Sequence, residues 1–213
     1  MRAGTSSPTR CARSWKPAHR DALVKLQGAP LALLIAALLA AACGTAQARA
    51  SGPLRVERLA MVVIHSTGGP SCDAKTGRPI WVKAGSLQAN LRFIGAHPKL
   101  GIHYMIDRDG TLASSVPEDQ IAHHVFGHSP RSIAIELIND GDGVDPFPEP
   151  QVRAVTTLLQ DITRRRGLAR DAVKRHSDLD HSTLPCDRTQ RRKVDPGPAF
   201  PFKAVLDAVF PPP

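Results

Sequence analysis

Residues 59–64 (LAMVVI) are apolar without alternation, the pattern of a central strand covered on both faces. His65 closes this segment and Ser66-Thr67-Gly68-Gly69-Pro70 turns the chain away, so a polar side chain stands where rigid scaffold meets loop. Ser86 is placed to cap a helix whose Leu87, Leu91 and Ile94 fall on one stripe, with His97-Pro98 ending it. Residues 102–107 and 111–116 flank Arg108-Asp109-Gly110 and predict a hairpin. Along 132–138 (SIAIELI) the pattern alternates, with Ile133, Ile135 and Leu137 on one face and Ser132, Ala134 and Glu136 on the other. A turn-rich loop covers 140–149. Pro150 then opens a helix with Val152, Val155, Leu159 and Ile162 on its buried side, which Gly167 ends. Arg164, Arg165 and Arg166 fit the carboxyl end of that helix as a solvated, dipole-complementing face. Ala172–Arg175 predicts a short strand that delivers His176, residues 202–210 a final short helix, and Pro211-Pro212-Pro213 a tail.

The 213 residues favour one domain, and nothing repeats at a fixed period. The net charge of +9 raises the prospect of a nucleic-acid partner. Six of the 28 basic residues and one of the 19 acidic ones lie within residues 1–42, however, which leaves 22 and 18 and a balance of +4. With few aromatics and no basic helix interleaved with them, the composition argues against nucleic acid. Residues 1–28 are polar and basic, and Pro30–Ala42 is an uninterrupted apolar run. The run is shorter than the roughly twenty residues of a permanent span and suits a signal-peptide core. Export to the periplasm is therefore expected. Ala46-Gln47-Ala48 offers a small-x-small cleavage site, while Ala40-Ala41-Ala42-Cys43-Gly44 resembles a lipoprotein box in which an acylated Cys43 would tether the protein to the outer membrane. The expected division is a leader over 1–48 and a folded domain over 49–213.

Of the four cysteines, Cys11 and Cys43 belong to the leader, which leaves Cys72 and Cys186 in the mature domain. In an oxidising compartment these two are expected to form a disulfide, joining the loop after His65 to the loop after His176. Two unlinked thiols, or a thiolate serving as metal ligand in place of Asp195, are the alternatives. His176, at the end of an apolar segment, and Asp195, just before a Pro-Gly turn, are residues that a folded loop can bring to one point with His65. Together they make a candidate metal site. Glu136 stands out as well, because a carboxylate pointing inward among small residues is costly unless it is paired, near a metal or protonated.

Five stretches in order, VVIHSTGG (62–69), HYMIDRDGTLASSVPEDQIAHH (103–124), SIAIELIN (132–139), KRHSD (174–178) and RKVDPGPAF (192–200), resemble the zinc-dependent N-acetylmuramoyl-L-alanine amidases. That superfamily is shared with phage lysozyme-like amidases and peptidoglycan recognition proteins, and the likeness runs over about residues 58–206. It implies an α/β fold of one domain with a central mixed sheet flanked by helices, one zinc ion, and hydrolysis of the bond between N-acetylmuramic acid and L-alanine in peptidoglycan or its muropeptide fragments. A monomer is expected. Carried over by position, the ligands are His65, His176 and Asp195, a set that leaves a fourth place for water as a catalytic zinc requires. Glu136 becomes general base and then acid to the leaving amine, and Lys193 stabilises the oxyanion. His124 is expected to touch substrate, and His103 either packs or holds a substrate carboxylate.

The chain departs from its relatives at Ile102, where some phage members carry tyrosine, so the proton work is expected to rest on Glu136. It departs also at Ala122-His123-His124, where Ala-Trp-His is frequent and a stacking aromatic is missing. The rival reading is a peptidoglycan-binding module that has lost a ligand and grips without cutting. The presence of His65, His176, Asp195 and Glu136 together argues for the enzyme.

Overall fold

A computed structural model of the chain describes residues 52–212, so the leader, its cleavage site and Cys43 lie outside the described residues. Five strands form the main sheet in the order β5-β4-β6-β1-β7: β1 (Met61–Ser66), β4 (Tyr104–Ile106), β5 (Leu112–Ser114), β6 (Ser132–Leu137) and β7 (Val173–Arg175). The pairs β4–β6, β6–β1 and β1–β7 are parallel and β4–β5 is antiparallel, which makes the sheet mixed. β1 and β6 are central, and their apolar runs are buried on both faces because helices cover both sides.

On one face Val62, Ile64, Ile133, Ile135 and Leu137 pack against Val155, Leu158, Leu159 and Ile162 of α2 (Glu149–Arg166) and Val205 and Leu206 of α4 (Phe202–Val209). The opposite face is thinner. There Ala134, Met105 and Ile138 meet Leu87, Leu91 and Ile94 of α1 (Leu87–Gly95). The side-chain alternation expected for residues 132–137 is the one observed. The α1 cap also forms as expected, with the Ser86 hydroxyl accepting from the Ala89 N–H at 3.3 Å. Pro150 lies in the first turn of α2, and Gly167 ends the helix in the left-handed conformation (φ 62°) that a Cβ disfavours.

The differences have physical reasons. β1 runs on through Ser66, so His65 is inside the strand and does not close it. The hairpin strands are three residues each, since the flanks of 102–107 and 111–116 bond outside the ladder, as Ser115 N–H to His103 O at 2.9 Å does. On α2, Leu158 is buried and Val152 only partly so, a turn of the apolar stripe toward α4. Two small hairpins were not anticipated, β2 (Gly69–Cys72) with β3 (Pro79–Val82) and β8 (Thr183–Leu184) with β9 (Asp187–Arg191). A disulfide between Cys72 and Cys186 joins them. Among the described residues no helix is long and apolar enough to cross a membrane.

Candidate metal centre and active site

His65 and Glu136 are directly opposed across the parallel β1–β6 pair, on the α1 face of the sheet. His176 is the first residue of the short α3 (His176–Leu179), immediately beyond β7. Asp178 fixes that turn by accepting the Arg175 backbone N–H at 3.0 Å and the Arg175 guanidinium at 2.8 Å, so the aspartate of the HSD motif is structural. Asp195 arrives from the loop after β9. Its carbonyl accepts the Ser177 N–H at 3.0 Å, and Gly197 (φ 90°) packs so closely on the loop after β6 that a Cβ would lie 2.5 Å from the Gly141 carbonyl oxygen.

These paths converge. His65 Nδ1 lies 2.9 Å from His176 Nδ1 and 3.2 Å from Asp195 Oδ2, and His176 Nδ1 lies 3.0 Å from the same oxygen. All three residues are buried. A tetrahedral ion with bonds of about 2.0–2.1 Å needs ligand atoms about 3.3 Å apart, so this triangle of two imidazole nitrogens and one carboxylate oxygen fits zinc. The protonation states fit as well. Burial pushes the His65 ring down to about 4, against the pull of Asp195, so it is a neutral ligand at neutral pH. Burial works against ionisation of Asp195, but the His176 and His65 imidazoles against its Oδ2 outweigh it and hold the carboxyl well below the usual range.

The triad opens on a cavity of about 370 Å³ whose wall includes Glu136, Lys193, Arg192, Thr67, His123 and His124. Burial and, second, the negative Asp195 push the Glu136 carboxyl up to about 8, with Lys193 opposing. A carboxyl that exchanges protons near neutrality beside a metal site suits acid and base work. Lys193 and Asp195 share the cavity, consistent with their two-residue spacing. Leu100, His123 and His124 also border a second depression of about 530 Å³ that reaches the exposed Phe126.

The two histidines proposed near substrate take different places. His103 does not reach the cavity: it is fully buried, its Nδ1 accepts the Ala134 N–H at 2.9 Å, and its Nε2 lies 3.1 Å from the Gln120 carbonyl oxygen. Packing was one of the two roles expected for it. His124 lines the cavity, with both ring nitrogens engaged inside the protein, at 2.9 Å with His65 Nε2 and 2.8 Å with Ser132 Oγ. The sequence reading missed Arg55 and Ser132. The Arg55 guanidinium donates to the carbonyls of Glu118, Gln120, Pro130 and Ser132 and so clamps the loop that carries His124. Ser132 was legible in principle, since it shares the alternating face of Glu136.

Similarity to known proteins agrees with this geometry. The family model for N-acetylmuramoyl-L-alanine amidase matches residues 55–198. The chain is 30% identical over 168 residues to the 1,6-anhydro-N-acetylmuramyl-L-alanine amidase AmpD of Enterobacter cloacae, covering 70% of this chain and 82% of that protein. It is also 30% identical over 174 residues to AmpD of Citrobacter freundii, covering 73% and 83%. Among solved structures, the N-acetylmuramyl-L-alanine amidase AmiD of E. coli, in complex with anhydro-N-acetylmuramic acid-L-Ala-D-gamma-Glu-L-Lys, superposes with a TM-score of 0.55 at 25% identity, over 76% of this chain and 60% of that one. The family named from the five motifs is thus the family matched, and the chain belongs to the N-acetylmuramoyl-L-alanine amidases.

Proposed function

We propose that the protein hydrolyses the amide between the lactyl group of N-acetylmuramic acid and L-alanine in peptidoglycan fragments, with one zinc ion held by His65, His176 and Asp195. The observation that carries this reading is the convergence of three buried candidate ligand atoms within 3.2 Å of one another, with Glu136 opposite His65 across the β1–β6 pair. When bound, the ion supplies Lewis-acid polarisation of the scissile carbonyl and lowers the pKa of a neighbouring water toward ~7. Glu136 takes a proton from the attacking water and returns it to the leaving α-amine of L-alanine. Lys193 faces the same cavity and offers its ammonium to the oxygen that gains charge as the carbonyl carbon becomes tetrahedral. The similarity to AmpD and to AmiD with its anhydro-muropeptide favours released anhydromuropeptides as the fragment class.

A binding-only role is the second reading, and the complete set of His65, His176, Asp195 and Glu136 weighs against it. The proposal extends to export with Cys43 acylated, supported by the apolar run over 30–42 and the Ala-Ala-Ala-Cys-Gly box. Intact-mass analysis of the membrane fraction tests it, and an unprocessed amino terminus overturns it. The catalytic test incubates metal-replete and chelated protein with defined anhydromuropeptides and follows free stem peptide by mass spectrometry. Release only by the metal-replete protein is expected. Release unaffected by chelation refutes the metal site, and binding without release in both arms establishes the second reading.

A further inference from the structure

The polar chain behind His65 has a direction that can be read from its end. The Ser132 hydroxyl lies 2.8 Å from the His128 carbonyl oxygen, which only accepts, so the hydroxyl proton points there. The Ser132 oxygen is left to accept from His124 Nε2 at 2.8 Å. In the neutral rings that metal binding requires, each imidazole carries one proton. With that proton on Nε2, His124 presents a bare Nδ1, which accepts from His65 Nε2 at 2.9 Å. The one proton of His65 is therefore on Nε2, and its Nδ1 lone pair is left facing His176 Nδ1 and Asp195 Oδ2.

We propose that Ser132 and His124 are positioning residues, a relay anchored on the His128 carbonyl that locks His65 in the tautomer able to ligate a metal through Nδ1. The inference rests on the reading of His65 as a zinc ligand. The relay is built on rigid parts. Ser132 opens β6, its carbonyl accepts from Arg55 at 3.0 Å, and a turn over Ser129–Arg131 precedes it. The backbone N–H groups of His124 and Val125 both donate to Ser129 Oγ at 3.1 Å, and that hydroxyl donates to the Val125 carbonyl at 2.8 Å. The loop is thereby closed around His124. A ligating imidazole whose far nitrogen lacks an acceptor has to sample both tautomers, and one of the two places a proton where the ion must sit.

The test measures zinc affinity by chelator competition in the wild type and in three variants, and the His65 tautomer by long-range proton–nitrogen NMR of the metal-free protein. His124→Phe keeps a ring but removes the acceptor, and is expected to weaken zinc binding by about 10–100-fold. His124→Asn keeps an oxygen near the place of Nδ1 and is expected to recover most of that loss. Ser132→Ala is expected to lie between them. In the wild type His65 Nε2 is expected to carry the proton, and in Ser132→Ala the signal is expected to show both tautomers. Zinc affinity of His124→Phe within about twofold of the wild type, or a wild-type His65 protonated on Nδ1, overturns the relay. If His124→Phe does not fold, Ser132→Ala and the wild-type spectrum decide by the same criteria. Wild-type protein that binds no zinc overturns the metal reading itself, whereas a wild type that binds zinc beside an unaffected His124→Phe overturns only the relay.

Discussion

Replacing Glu136 by glutamine is expected to stabilise the metal-free fold at alkaline pH while abolishing turnover. The unfolded chain gives up this proton near the ordinary value of 4.5, whereas the folded protein holds it up to about 8 because of burial and then Asp195. Between those values unfolding releases a proton, so the wild type loses stability as pH rises from 4.5 to 8, and the loss is complete above 8. At about 1.36 kcal/mol per pH unit the change between pH 5 and pH 9 has an upper limit of about 4 kcal/mol. The carboxyl borders an open cavity, so about 2 kcal/mol is the figure to test. The substituted amide carries no charge at either pH. Urea unfolding of chelated wild type and variant at pH 5 and pH 9 gives the comparison, and the variant's advantage should grow by about 2 kcal/mol at the higher pH. With zinc bound the slope should flatten, because a cation beside Asp195 favours the charged carboxyl. A stability difference that is the same at both pH values within about 0.5 kcal/mol refutes the assignment of a strained, proton-holding Glu136.

Lys193→Met should lower kcat by about 10²–10³-fold with KM and zinc content little changed, as expected for a group that acts on charge developed in the transition state; an unchanged kcat removes Lys193 from that role. Glu118 accepts from Tyr104 at 2.6 Å and from Arg165 at 2.8 and 3.0 Å; burial raises its carboxyl, but the bonds from Arg165, Tyr104 and Arg166 prevail and hold it at about 2. Glu118→Gln should therefore cost about 1–2 kcal/mol at pH 7, after allowance for the exposed arginines, and the penalty should fade as pH drops from 4.5 through 2; a penalty independent of pH contradicts this. Removing the disulfide with Cys72→Ala and Cys186→Ala opens a closure of 114 residues, worth at most about 4–5 kcal/mol of unfolded-state entropy. A loss of about 2–4 kcal/mol is expected in urea unfolding, and an unmoved midpoint shows that the bridge does not stabilise the fold.

The main sheet was legible because burial writes itself into the sequence. Residues 62–64 and the apolar positions of 132–138 have no solvent to face, so their patterns have one structural solution. The small hairpins carry no such signal. β3 is largely exposed and β2 is nowhere fully buried, and β8–β9 is mostly polar, so their pairing rests on backbone bonds that composition does not reveal. The candidate ligands were legible through motif order. The roles of His103 and His124 were not legible, because a histidine beside a cavity and a histidine behind it look alike in one dimension. Only the partners of the two ring nitrogens separate them.

The site's layout explains why strand ends matter more here than any single loop. His65, Glu136 and His176 come from the carboxyl ends of three neighbouring parallel strands, β1, β6 and β7, the edge at which open α/β sheets present their ligands. Their spacing is set by the sheet itself, about 4.8 Å from strand to strand. The fourth group, Asp195, comes from a long loop and has no strand to place it. Three separate contacts hold that loop: the Ser177 N–H on the Asp195 carbonyl, the glycine-to-glycine approach of 197 and 141, and the disulfide that anchors the β8–β9 hairpin before it. The chain thus concentrates its constraints on the one candidate ligand the sheet does not position, as a three-ligand site would require, since a drift of about 1 Å at any ligand would open a coordination shell.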